Sequence, residues 1–267
     1  MRPRGERSQA GRGICTAILS LAAALTLSCC GSPGPPAPAA TPHVTSTPSR
    51  ARPWTFAVSG DHPVPTNGSQ DTHAATPAAV CDRAEFSKYM STGRHVADGF
   101  TLAGFPAAAA LLDHFLDGKG TAVGYRAGSA VSKQAQASSA FRAVNKQVQA
   151  EILHQLKAGQ ARVRLSAAQL PLVAFGSVGS DLYWGFRGTQ GLTVTGTGTR
   201  RDGRYAGTLS YVIRDSYGFP AGDTLAGFGP PMRYLQTVCG APRQDGGAHW
   251  FPDTITVTVP FRPPVPG

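Results

Sequence analysis

The chain has 267 residues, above the usual size of one domain, and a formal charge of +10, three units of which come from Arg2, Arg4, Arg7 and Arg12 against Glu6 at its start. At 41% hydrophobic and 15% charged it holds enough apolar content for a core and lacks the signature of a disordered chain, although 32 glycines and 22 prolines make it rich in loops. The other basic residues, among them Arg162, Arg164, Arg187 and Arg204, are scattered rather than gathered on one helical face with interleaved aromatics; this argues against nucleic acid as a partner and leaves a mild attraction to anionic lipid or wall polymer.

Residues 1–13 carry the early charges, and Ile14 to Leu27 form an apolar run too short to span a relaxed bilayer, ending in small residues. This pattern predicts an export signal over residues 1–29. The junction Leu27-Ser28-Cys29-Cys30-Gly31 resembles the lipobox of bacterial lipoproteins, in which the Cys after a Leu and two small residues is acylated and becomes the new N-terminus. The resemblance implies lipid on Cys30, a membrane partner through that lipid, and an extracytoplasmic protein anchored to the cell membrane. Cys29 stands where the pattern usually has Gly or Ala, so cleavage before Cys29 is the alternative, and an ordinary signal peptide with a free secreted product is the other.

Of five cysteines, Cys15, Cys29 and Cys30 fall in or at the end of the leader, which leaves Cys81 and Cys239 for the folded part. Two thiols in an oxidising compartment predict a disulfide between them. A tether of Pro, Ala, Ser and Thr is expected over residues 30–80, because such a stretch buries too little surface to fold; Trp54 and Phe56 interrupt it and are candidates for docking on the domain.

One globular domain is expected over residues 81–262, with a short tail over 263–267. Helices are predicted over residues 82–91, from Pro106 to Phe115 ahead of Gly118 and Gly120, and from Ser138 to Lys157, where Phe141, Val144, Val148, Ile152 and Leu156 share a face. Strands are predicted over Leu182–Arg187, Leu192–Thr199, Tyr205–Arg214 and Thr254–Phe261, with Asp202-Gly203 as a hairpin turn and Pro260 at an edge. Helices followed by an antiparallel sheet make an α+β domain.

The densest polar cluster, Arg214-Asp215-Ser216-Tyr217-Gly218-Phe219, follows the best strand. A carboxylate and a phenol two residues apart on an extended chain lie on one side, where they can hold a cation or a hydroxyl-bearing ligand. Arg233 is a candidate cation for a phosphate or carboxylate. The plainer alternative makes Asp215 a turn cap, Tyr217 a packing residue and Arg233 its structural partner. His249-Trp250-Phe251-Pro252-Asp253 is a second candidate, either an acid-base pair beside a stacking edge or a packed turn.

The strand followed by Asp215, Tyr217 and Phe219 is similar to the catalytic segment of the colicin M type bacteriocins, which cleave the lipid-linked peptidoglycan precursor. The resemblance covers about thirty residues and implies hydrolysis. The family's second Asp after its Tyr is Gly218 here, and its His-Arg pair is Met232-Arg233, so two of the acid-base groups are replaced.

The seven histidines lack the spacing that puts two metal ligands on one helix face, and neither a Gly-x-Ser-x-Gly elbow nor a phosphate-cradling Gly loop is present, so no metal or cofactor is expected. These features together point to an envelope lipoprotein acting as a binding or interaction module, with a cell-wall component as a candidate ligand. The runner-up is an extracytoplasmic hydrolase of a wall or lipid-linked precursor using Asp215, Tyr217, Arg233 and His249.

Overall fold

The computed structural model describes residues 54–64, 80–176, 179–220, 227–240 and 248–263. The leader, Cys30 and most of the tether lie outside the described residues.

The centre of the fold is a hairpin. Strand β4 (Gly191–Arg201) turns into β5 (Arg204–Tyr217) through Asp202 and Gly203, whose φ values of 50° and 76° give the left-handed pair that suits the twist of a two-residue hairpin. Around it the sheet takes in β1 (Trp54–His62), β2 (Val123–Tyr125), β3 (Arg162–Leu165) and β6 (Phe251–Phe261), in the order β2-β6-β5-β4-β1-β3. β4, β5 and β6 are antiparallel as expected, β1 joins β4 antiparallel, and β2 on β6 and β3 on β1 are parallel, so the sheet is mixed. Pro260 sits on the part of β6 beyond the reach of β2, where a missing N–H costs no ladder bond.

Trp54–His62 departs from the tether expected over residues 30–80, because it is a strand inside the sheet between β3 and β4. A complementary gap explains its place. Phe56 lies opposite Gly198 on β4, and a Cβ on that glycine would come within 2.2 Å of the Phe56 ring. Only glycine leaves room for the ring, which packs on Phe261 with centroids 5.6 Å apart.

Period-two alternation sends Leu209, Tyr211, Ile213, Asp215 and Tyr217 of β5 to the buried face, with Phe251, Asp253, Ile255 and Val257 of β6 beside them. Helices α1 (Arg83–Leu102), α2 (Pro106–Leu116), α3 (Ala130–Ala137) and α4 (Ser139–Lys157) accompany the sheet. From α4 the five predicted apolar residues are all buried, and Phe141 meets Tyr211 with ring centroids 5.1 Å apart. On the other face Thr195, Thr197 and Thr199 of β4 and Thr258 of β6 are exposed.

Two helices differ from expectation. The short helix predicted over 82–91 runs on to Leu102, past Gly93, because α1 crosses α2 there so closely that a Cβ would lie 2.8 Å from Leu116. Tertiary packing outweighs glycine's poor helix propensity. The strand predicted over Leu182–Arg187 is instead a short helix, α5 (Asp181–Gly185), capped by the Ser180 hydroxyl on the Tyr183 N–H. Asp181 in turn accepts from the N–H groups of Ala107 and Ala108 at 3.0 and 2.7 Å, supplying the cap that α2 lacks locally.

Cys81 and Cys239 are bridged, with Cα atoms 5.0 Å apart. The bridge ties the entry of α1 to the π-helical turn Leu235–Cys239 that follows α6 (Gly229–Tyr234), and the Asp82 N–H donates to the Tyr234 hydroxyl at 2.9 Å beside it.

Candidate functional site

A pocket of about 140 Å³ opens where β5 leaves the sheet. That is the volume of a cavity that takes up a single six-membered ring. Asp215, Ser216, Tyr217 and Gly218 line one side because the strand ends there; Trp184, Arg187, Gly188 and Gln190 enter from α5 and the chain after it. Phe100 of α1 and the pair Phe219 and Phe228 contribute rings, with Phe100 and Trp184 5.4 Å apart and Phe219 and Phe228 5.9 Å apart. Trp250 closes the rim and is 39% exposed. Gln236, from the π-helical turn, is fixed by accepting the Phe219 N–H at 2.9 Å.

The polar end of the pocket is Asp215, only 6% exposed, whose carboxylate accepts from the Ser216 N–H at 2.8 Å and from the Gly188 N–H. Directly across the ladder is Asp253, on the same inward face, fully buried, with neither carboxylate oxygen hydrogen-bonded to another of the described residues; its own backbone N–H is the one donor that opposes the rise of its pKa. Burial pushes the Asp215 carboxyl up to about 7, against the opposing pull of those two N–H groups and of Arg187. Asp253 is raised well above the ordinary carboxylate range, first by burial and then by the charge of Asp215. Two buried carboxyls in this relation cannot both ionise cheaply, so near neutral pH they retain a proton between them.

Of the four residues singled out in the sequence, Asp215 and Tyr217 come together in the pocket wall. Tyr217 is buried and stacks on Phe251 at 5.4 Å, with Phe219 edge-on at 5.9 Å. Arg233 and His249 do not line the pocket. The Arg233 carbonyl accepts from the Thr237 hydroxyl within its own helical stretch, and the His249 N–H donates to the Phe115 carbonyl at the end of α2. Among the described residues no group of three His, Cys, Asp or Glu side chains is placed to hold a metal ion.

Sequence reasoning did not pair Asp253 with Asp215, nor place Gln190 or Gln236 in a site. A signal for Asp253 exists in the alternation Phe251, Asp253, Ile255, Val257, which puts it in the apolar phase of β6. Compared with protein-family models, curated proteins and solved structures, the chain matches none of them.

Proposed function

We propose that this chain is an exported envelope lipoprotein, held at the membrane by acylated Cys30, whose domain is a binding module for a small ring-bearing ligand or the terminal ring of a wall component. The observation that carries the binding reading is the union, in one ring-sized pocket, of the aromatic groups of Trp184, Phe219 and Trp250 with the polar groups of Asp215, Gln190 and Gln236. Sites of this kind recognise ligands by apolar faces and orient them with a few polar contacts. The address rests on the leader and on its likeness to a lipobox. A hydrolase working through the four candidates would need Arg233 and His249 beside Asp215 and Tyr217, and neither lines the pocket.

The test is an NMR titration of the protein with solubilised cell-wall fragments. With three tryptophans in the chain, the indole N–H signals of Trp184 and Trp250 are resolvable reporters. Both should shift on binding, together with the amides of Gly188 and Gly218, and Trp250→Ala should weaken binding by about tenfold, the worth of one stacked ring. Fragments that leave all four signals unmoved would overturn the reading.

A further inference from the structure

We propose that the ligand of this pocket carries an organic ammonium group, received by Asp215, which lines the pocket with the buried Asp253 beside it on the ladder, and flanked by the rings of Trp184, Phe219 and Trp250. The inference rests on the binding-module reading and gives it a ligand chemistry.

The argument is one of charge. Asp253 is fully buried, directly across the ladder from Asp215, and among the described residues no other residue hydrogen-bonds to its oxygens. The cation that acts on Asp215 is Arg187, an exposed side chain that also lies over the Tyr183 ring. With both carboxylates ionised and Arg187 counted against them, one negative charge is left over.

Among the described residues the surroundings do not supply its counterpart. Tyr125 of β2, whose phenol is pushed up to about 12 by burial and by the charges of Asp253 and Asp181, is neutral. Asp181 of α5 is engaged by the N-terminal amides of α2. Tyr217 and Gln190 add no charge. Arg214, next along β5, reaches the opposite face, where it pairs with Asp61 at 2.7 Å. His114 of α2 packs edge-on against Phe251, two residues from Asp253, and its ring faces the Thr121 carbonyl.

In the empty pocket a proton fills the deficit. An ammonium group can fill it instead, and the aromatic faces around the pocket favour a cation. The exchange balances: the ligand enters as R–NH3+, its ion pair forms with the deprotonated acid pair, the O–H bond of the shared proton breaks, and one proton leaves to solvent. An anionic ligand would meet like charge, and a neutral one would leave the proton in place.

The test is calorimetric titration of the full chain in detergent with cyclohexylammonium and with cyclohexanol, from pH 5 to pH 8, in buffers of different ionisation enthalpy. The ammonium should bind at least tenfold more tightly than the alcohol at pH 8. Its affinity should rise with pH across this range, by up to about tenfold per unit for each proton released. At pH 8, above the range in which Asp215 gives up its own proton, Asp253→Asn should abolish the proton release. Equal affinity for the two rings, ammonium binding without proton release, or no binding of either overturns the inference. Binding of cyclohexanol alone does so while leaving the module reading intact; that reading falls only if the wall fragments fail as well.

Discussion

Asp253 occupies a position in β6 where its inward neighbours are Phe251 and Ile255, so a carboxyl stands where the core asks for an apolar side chain. Its effect on stability has a definite sign. Both members of the pair have folded pKa values raised above the unfolded value of about 3.9. The native state therefore keeps protons that the unfolded chain gives up, and the contribution, whole below about pH 4, is lost at Asp215 as pH rises through about 7 and at Asp253 as pH rises through its own raised value. The exposed Asp61, held low by hydrogen bonds from Arg214 and Thr193, acts in the opposite sense but only in the acid range. We predict that the melting temperature falls by several degrees between pH 5 and pH 8, at roughly 2–4 °C per kcal/mol for a domain of this size. Asp253→Asn should reduce that fall in calorimetric melts, and an unchanged profile in the variant would refute the assignment. Asp215 and Tyr217 were legible from strand phase alone. Asp253 was not, because its meeting with Asp215 depends on a ladder register that neither segment encodes locally.

At the scale of elements, the readable parts were those whose signals are local: the Asp202-Gly203 hairpin, the Pro106 helix start, and the apolar stripe of α4. The parts that escaped depend on partners distant in the chain. α5 reads as an aromatic strand until Asp181 is seen capping α2, and β1 reads as tether until Phe56 is set over Gly198. The bridge between Cys81 and Cys239 joins residues 158 apart in the chain, and it bears on the pocket. The turn it anchors carries Gln236, which holds the Phe219 N–H. In the chain-entropy model a loop of that length is worth roughly 5 kcal/mol, and removing such a native bridge typically costs about 2–5 kcal/mol. We predict a loss in that range for the Cys81→Ser/Cys239→Ser double variant in urea denaturation. Hydrogen exchange should quicken first at the amides of Ala84 and Glu85, where the Asp82 cap starts α1. Stability equal to that of the parent, or fraying that begins elsewhere, would show that the bridge restrains little.

For the whole molecule the decisive question is where the pocket works. The apolar run from Ile14 to Leu27 ends at Cys30, and prolines at 33, 35, 36, 38, 42 and 48 follow before β1 begins at Trp54. Proline-rich stretches of this composition act as semi-rigid spacers. On the proposed reading, lipid on Cys30 would limit the ligands to those within reach of the spacer. A single acyl chain holds a protein weakly, whereas two hold it stably, so the modification that fits this design is a diacylglyceryl group. We predict that intact-mass spectrometry on protein from the membrane fraction of its native host finds that mass on a chain beginning at Cys30, with two protons fewer than the reduced form. An unmodified chain recovered from the medium would remove the anchor, make the Pro-rich stretch the remnant of an ordinary leader, and direct the ligand search to soluble amines outside the cell.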